Sequence, residues 1–174
     1  MNTSELNCIL ERALVGTDCK FLGVFAADRI PNTNTFPSCF VASTDPARLA
    51  GTHWVACYCS SRDNIEFFDS YGFPPSFYEY LELPFTPTKF NHVSFQALNS
   101  SVCGHYCVYF LCNRAYKRPL RSLQLDLKRV SQSDHFVRTF LSQVVRKLGV
   151  ARRCFRQCRG LQCCKSRKAN CCRK

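Results

Sequence analysis

Residues 94–112, SFQALNSSVCGHYCVYFLC, decide the fold of this chain. The stretch begins with alternating residues, passes through the polar turn Asn99-Ser100-Ser101, and continues as an apolar helical pattern. Asn and Ser are favoured at helix N-caps, so this order predicts a central helix over residues 103–116. Cys103 then lies in the first turn of the helix. Free backbone N–H groups and the positive end of the helix dipole favour a thiolate there.

Two neighbours of Cys103 suit a reaction at its sulfur. Gly104 has no side chain, which lets backbone or substrate approach closely. Gln96, seven residues before Cys103, is placed to donate its amide, beside the Cys103 N–H, to a developing oxyanion. Cys107 and Cys112 lie inside the helical pattern and are predicted to be buried structural thiols. A buried structural thiol is also the alternative for Cys103 when it is considered without partners.

A base and a carboxylate to orient it are predicted on a hairpin upstream. His53 begins one alternating run, Asp69 ends the next, and residues 60–64 between them have the composition of a turn. A hairpin centred on Ser61 places His53 opposite Asp69, with Cβ atoms roughly 5 Å apart. The same register gives the pairs Val55–Phe67 and Cys57–Ile65. A slip by one residue would turn one partner to the other face of the sheet.

Three other histidines compete with His53 as the base. His105 shares the helix with Cys103 but, two residues away, points off its face. His92 and His135 have no carboxylate placed with them by a comparable argument. The set of His53, Asp69, Gln96 and Cys103 therefore predicts a catalytic cysteine with an oriented histidine base.

These residues resemble the adenovirus protease (adenain) family, including its relatives in adenovirus-like viruses and mobile elements. The chain is more distantly similar to the SUMO-deconjugating cysteine proteases. The resemblance covers about residues 4–116, and adenain has a glutamate where this chain has Asp69. The matching segments are His53-Trp54, residues 68–73 (FDSYGF), Gln96 and residues 101–104 (SVCG), with further similarity at residues 21–23 and 28–31.

The resemblance implies an α+β fold of the adenain and SUMO-protease type. A small mixed or antiparallel sheet would pack against the helix that carries Cys103. It also implies a cysteine endopeptidase that cleaves virion precursor proteins after small residues such as glycine, in the virion and host nucleus. Trp54 would then wall the substrate channel near Cys103, with a core aromatic as the equal alternative, and Gly104 would be part of the substrate site. Two alternative functions are deconjugation of ubiquitin-like modifiers and an inactive virion protein that binds nucleic acid.

No cofactor is required for this chemistry, but the resemblance allows two activators. Adenain uses DNA as a cofactor and an activating peptide that is tethered through a cysteine upstream of the oxyanion glutamine. Residues 83–95 of this chain contain no cysteine, so this tether has no counterpart here. A monomer is favoured.

The composition divides the 174-residue chain into a protease domain, residues 1–149, and a basic tail, residues 150–174. The tail carries nine of the 24 Lys and Arg residues and no Asp or Glu, in a chain of net charge +12. Such a cationic arm, which we predict to be disordered, binds DNA or RNA backbones through counterion release without reading their sequence. The resemblance to adenain favours DNA. The predicted DNA contacts are Arg152, Arg153, Arg156, Arg159, Lys165, Arg167, Lys168, Arg173 and Lys174.

The 14 cysteines raise the question of the redox compartment. The first residues lack the apolar core of a signal peptide, and no stretch is long enough to span a membrane. An intracellular, reducing setting is therefore predicted instead of a secreted disulfide scaffold. The six tail cysteines lack paired two-residue gaps and a histidine, so no metal site is predicted. Zinc binding, disulfides after virion exposure and plain reactive thiols remain alternatives.

The remaining pattern predicts further elements around this centre. Apolar periodicity predicts helices and alternation predicts strands, with Gly and Pro as the boundaries. The predicted helices are residues 4–14, 76–81 and 133–148, and the predicted strands are residues 21–26, 39–43 and 91–95.

Overall fold

A computed structural model describes residues 1–149, and the predicted basic tail lies outside the described residues. The described chain has a mixed α+β fold, which confirms the predicted class. Four α-helices flank a five-stranded sheet. The elements are α1 (Thr3–Ala13), β1 (Lys20–Phe25), β2 (Ser38–Ser43), β3 (Trp54–Ser61), β4 (Asn64–Phe68), β5 (Lys89–Phe90), α2 (Cys103–Ala115), α3 (Leu120–Arg129) and α4 (Ser133–Lys147).

The sheet is mixed, and its strands are ordered β1-β2-β3-β4-β5. The two outer pairs are parallel and the two inner pairs are antiparallel. Strand β2 is buried along its whole length. Its alternate residues enter two apolar clusters, with Val41 on the side of the helices and Phe40 on the side of the loops. Burial on both faces explains why the central strands are almost continuously hydrophobic.

Helix α2 lies at the centre of the molecule, between the sheet and the other helices. Eleven of its 13 residues are buried. A helix that is apolar on all sides fits only such an interior position. The ring of Phe110 stacks on that of Phe68 in β4, with the centroids 4.8 Å apart. This contact packs the middle of α2 against β4.

The β3–β4 hairpin forms, but its register differs from the prediction by two residues. Cys57 pairs with Phe67 and Cys59 with Ile65, and the chain reverses at residues 62–63. A bulge between Cys59 and Ser61 accompanies this later turn. Side chains alternate with a period of two, so a shift of two residues leaves each one on its predicted face. His53, just before β3, and Asp69, just after β4, therefore remain on the same side.

The start of α2 at Cys103 confirms the predicted helix position, but the predicted cap is wrong. The N-cap residue is Val102, and no side chain caps the helix there. Val102 is completely buried. Burial of this valine, and not a hydrogen bond from the polar turn at residues 99–101, accompanies the start of the helix.

Two short elements between β4 and α2 differ from the prediction. The helix predicted at residues 76–81 is a single turn of 3-10 helix at Pro75–Phe77. The strand predicted at residues 91–95 is instead the two-residue strand β5, followed by irregular chain. Asn91 explains the second difference, because its side chain bonds both the N–H and the C=O of Asp69. The Asn91 side chain thus makes the hydrogen bonds to Asp69 that the backbone of a longer β5 would otherwise make.

Helix α3 was not predicted, and α4 closely matches the predicted helix at residues 133–148. Helix α3 follows Pro119 and buries Leu123 and Leu127, which are four residues apart. The apolar stripe of α4 packs against the core as expected, with Val137 fully buried. Within residues 1–149, no helix has the length and apolar character needed to cross a membrane.

Candidate active site

The structure brings His53, Asp69 and Cys103 together at the start of α2. The His53 Nε2 atom lies 2.6 Å from Asp69 Oδ1. Asp69 is completely buried and His53 is 8% exposed. Because Nε2 faces the carboxylate, Nδ1 is the ring nitrogen that remains for Cys103, whose pKa is lowered by His53. In space, the order Cys103, His53, Asp69 is that of a nucleophile, a base and a carboxylate that orients the base.

The surroundings shift the pKa values of Cys103 and His53 toward their charged forms. Burial works to lower the pKa of His53, but hydrogen bonds to Asp69 and Cys103 outweigh it and raise the pKa to about 9. Burial also works to raise the pKa of Cys103. The hydrogen bond and charge of His53, together with the N–H groups of Trp54 and Gly104, lower it overall. The two shifts favour a thiolate–imidazolium pair.

Other cysteines of the described chain lie in different surroundings. Complete burial raises the pKa of Cys57 and of Cys107 well above the ordinary thiol value. A hydrogen bond with Cys39 lowers the pKa of Cys19, which is 6% exposed. Histidine contributes to the lowered pKa of Cys103 but not to that of Cys19. This difference separates Cys103 chemically from the structural thiols.

Asp69 is held by a dense set of hydrogen bonds. Its carboxylate accepts from His53, from the backbone N–H groups of Tyr71 and Phe73, and from the Tyr78 hydroxyl at 2.8 Å. Four donors on two oxygens fix the carboxylate and leave it ready to orient the imidazole. The Asn91 side chain bonds the Asp69 backbone on both its N–H and its C=O. Asp69 is therefore fixed both at its backbone and at its carboxylate.

Gly72 closes the loop that presents these donors. Its φ is +79°, and a Cβ there would lie 2.6 Å from the carbonyl carbon of Val93. Both the backbone conformation and the close neighbour require glycine. The loop from Asp69 to Phe73 therefore lies directly against the chain that leads to Gln96.

Gln96 is buried, and its amide is fully used in this structure. Its Oε1 accepts from Ser70 Oγ at 2.7 Å, and its Nε2 donates to the Ser100 carbonyl at 2.8 Å and to the Tyr71 hydroxyl at 3.0 Å. The ring of Tyr71 packs against that of His53, with the centroids 4.9 Å apart. Gln96 thus reaches His53 through Tyr71.

The predicted substrate residues Trp54 and Gly104 both contact the N-terminal segment. The Trp54 indole N–H donates to the Met1 carbonyl at 3.1 Å. A Cβ on Gly104 would lie 3.2 Å from the Met1 Cβ and 3.5 Å from a methyl of Leu6. The missing side chain of Gly104 thus leaves room for Met1 and α1, and its substrate role stays a prediction. For Trp54 the channel role stays a prediction.

The competing histidines have other surroundings. Burial lowers the pKa of His105 to about 4, so it is neutral at pH 7. The His92 ring lies 4.0 Å from that of Phe90. The Nε2 of His135 lies 3.5 Å from the Thr139 hydroxyl. Among the histidines, His53 is the one that lowers the pKa of Cys103.

Four residues that hold Asp69 or Gln96 were not predicted from the sequence: Ser70, Tyr71, Tyr78 and Asn91. The first two lie in the segment FDSYGF, whose aspartate alone was interpreted. The proximity of Asp69 to these residues in the chain was the available signal for Ser70 and Tyr71. Asn91 and Tyr78 carried no comparable signal.

No three or more His, Cys, Asp or Glu side chains of residues 1–149 are grouped to hold a metal ion. The nine predicted DNA contacts and the six tail cysteines lie outside the described residues.

Comparisons with known proteins identify no family. No protein-family model matches the chain, and no curated protein matches it. Among solved structures, it is similar to the central domain of the uncharacterized Lpg1148 protein from Legionella pneumophila. The TM-score is 0.46 at 15% identity, over 85% of this chain and 97% of that one. A likeness of this size supports no conclusion about activity.

Proposed function

We propose that this chain is a cysteine endopeptidase of the adenain type that uses Cys103 as its nucleophile. The contact of 2.6 Å between His53 Nε2 and the buried Asp69 carboxylate carries the proposal. A lone carboxylate or imidazole is costly to bury, and here each compensates the other beside a cysteine at a helix start. The position of that helix against a mixed sheet agrees with the fold that the resemblance implies.

The reaction follows from the protonation states of the pair. The Cys103 thiolate attacks the scissile carbonyl, a C–S bond forms, and the carbonyl π electrons move to oxygen. The Cys103 backbone N–H and a side-chain donor next to Gln96 stabilise that oxyanion by hydrogen bonding. The His53 imidazolium gives a proton to the leaving amine, and water then hydrolyses the thioester. Asp69 keeps the imidazole in the orientation and tautomer that this proton transfer needs.

Virion precursor proteins, cut after small residues such as glycine, are the substrates that the resemblance favours. The site of action would be the virion and the host nucleus, with DNA bound by the tail. Removal of ubiquitin-like modifiers is the same chemistry on another substrate class. An inactive nucleic-acid-binding protein would explain the tail charge but would give no reason for the assembled Cys103, His53 and Asp69.

The test is a library of peptides with glycine at varied positions, incubated with the protein and analysed by mass spectrometry. Cys103→Ala is compared with Cys107→Ala, a matched control four residues further along α2. We expect cleavage by the wild type and by Cys107→Ala, and none by Cys103→Ala. Cleavage that survives in Cys103→Ala would contradict the proposal.

A further inference from the structure

Tyr71 occupies a position that the proposed reaction does not yet use. Its ring packs against that of His53 at 4.9 Å, and its hydroxyl oxygen accepts a hydrogen bond from Gln96 Nε2 at 3.0 Å. The hydroxyl hydrogen has no acceptor among the hydrogen bonds of residues 1–149. Tyr71 thus has a donor to offer beside the base.

The hydrogen bonds of Gln96 fix which of its atoms face which neighbours. The Ser100 carbonyl can only accept, so the atom 2.8 Å from it is the amide nitrogen. Ser70 Oγ donates to the opposite side, at Oε1. The amide nitrogen has two hydrogens, and the Ser100 carbonyl and the Tyr71 hydroxyl take one each. Gln96 cannot donate to an oxyanion unless it gives up one of these bonds.

The charges around Tyr71 keep its proton in place. Burial, followed by the negative charges of Cys103 and Asp69, raises the pKa of the Tyr71 phenol. The hydroxyl is therefore neutral while the thiolate is present. A neutral phenol that already accepts a bond from an amide is polarised toward stronger donation.

We propose that the Tyr71 hydroxyl is the side-chain donor to the oxyanion that forms at Cys103, with Gln96 positioning it. This inference rests on the proposed function for its catalytic meaning. When the C–S bond forms and the π electrons move to oxygen, Tyr71 donates a hydrogen bond and transfers no proton. Gln96 acts through Tyr71, and Ser70 and Ser100 hold the amide that fixes the phenol.

The experiment compares two reactions of Cys103, only one of which forms an oxyanion-like centre. A peptide aldehyde ending in glycinal adds reversibly to the thiolate to give a hemithioacetal. Iodoacetamide alkylates the same sulfur by displacement of iodide, with no carbonyl addition. Aldehyde affinity is measured as protection of Cys103 from iodoacetamide. Both are measured for wild type, Tyr71→Phe and the matched control Tyr78→Phe.

We expect Tyr71→Phe to weaken the aldehyde adduct about 100-fold, at the lower end of the roughly 100- to 1,000-fold range for loss of one such donor. Its alkylation rate should stay within about threefold of wild type, because the nucleophile and base are intact. Tyr78→Phe should leave the ratio of the two reactions unchanged. In the Tyr71→Phe background, a further Gln96→Ala change should add little, because the two residues act as one unit.

Two results would overturn the inference. If Tyr71→Phe binds the aldehyde as tightly as wild type or more tightly, Tyr71 only occupies the site and the released Gln96 amide is the donor. If wild-type Cys103 forms no adduct, there is no oxyanion site for Tyr71 to serve. Failure of the proposed function gives a different pattern: the adduct depends on Tyr71, yet no peptide of the library is cut.

Discussion

Asp69→Asn is the change that tests the orienting role of the carboxylate most sharply. The wild-type carboxylate accepts from His53 and Tyr71 N–H on one oxygen, and from Phe73 N–H and Tyr78 on the other. An amide has one oxygen and one NH₂ group, so either orientation turns a donor toward a part-buried backbone N–H. Leaving that N–H unsatisfied should lower the free energy of unfolding by about 1–3 kcal/mol.

The effect on activity depends on which way the amide turns. With its oxygen toward His53, the imidazole keeps its tautomer but loses a charged partner worth about 1.5–3 kcal/mol, or about 10- to 150-fold in kcat/KM. With its NH₂ toward His53, the ring is fixed in the wrong tautomer, and the loss approaches about 10⁴-fold. In either case the pKa of His53 falls from about 9, because Asp69 no longer favours the imidazolium.

The assay is the pH profile of kcat/KM on a peptide found in the library. Wild-type activity should fall as pH rises through about 9, where His53 loses the proton that it gives to the leaving amine. In Asp69→Asn this decline should move to lower pH. Tyr78→Phe removes one hydrogen bond but no charge, and should cost less than about tenfold. Activity of Asp69→Asn within threefold of wild type, in a folded protein, would refute the reasoning.

Further predictions concern the thiol, the loop and the tail. Iodoacetamide should alkylate Cys103 faster than Cys107 at pH 7, since the pKa of the first is lowered and that of the second is raised; equal rates in peptide mapping would contradict this. Gly72→Ala should lower the free energy of unfolding more than Gly16→Ala does. Both glycines have a positive φ, but of the two it is Gly72 whose added Cβ would clash with a neighbour at 2.6 Å. Equal losses in denaturant titrations would show that the backbone conformation, and not the clash, causes the loss. Truncation of residues 150–174 should remove most DNA affinity, with a steep salt dependence and tolerance of a zinc chelator. Unchanged binding in a salt titration would place the DNA site within residues 1–149.

The meeting of His53 with Asp69 could be predicted even though the predicted register was wrong. Side chains alternate between the two faces of a strand, so a register error of two residues does not change which side chains share a face. The start of α2 at Cys103 was predictable for a similar reason, because the change from alternating to helical periodicity is visible in the sequence. The residue that caps the helix was not, because Val102 is placed by burial and not by its own side-chain chemistry.

The contacts that complete the site depend on loops whose shape the sequence does not state. Asn91 reaches Asp69 from 22 residues away, and it does so with a side chain in place of a strand. Tyr78 reaches the same carboxylate because the predicted helix is only one turn long. The hydrogen-bond partners of Gln96 could not be predicted either, because the sequence does not indicate which groups will bond to a given amide.

The most direct test of the central claim is to trap the acyl-enzyme. The protein is mixed with a peptide ester ending in glycine, quenched in acid within the first turnover, and mapped by mass spectrometry. We predict an acyl group on Cys103 in the wild type, absent in Cys103→Ala and greatly reduced in His53→Ala. Acylation of another cysteine, or none on Cys103 while it still reacts rapidly with iodoacetamide, would contradict the account.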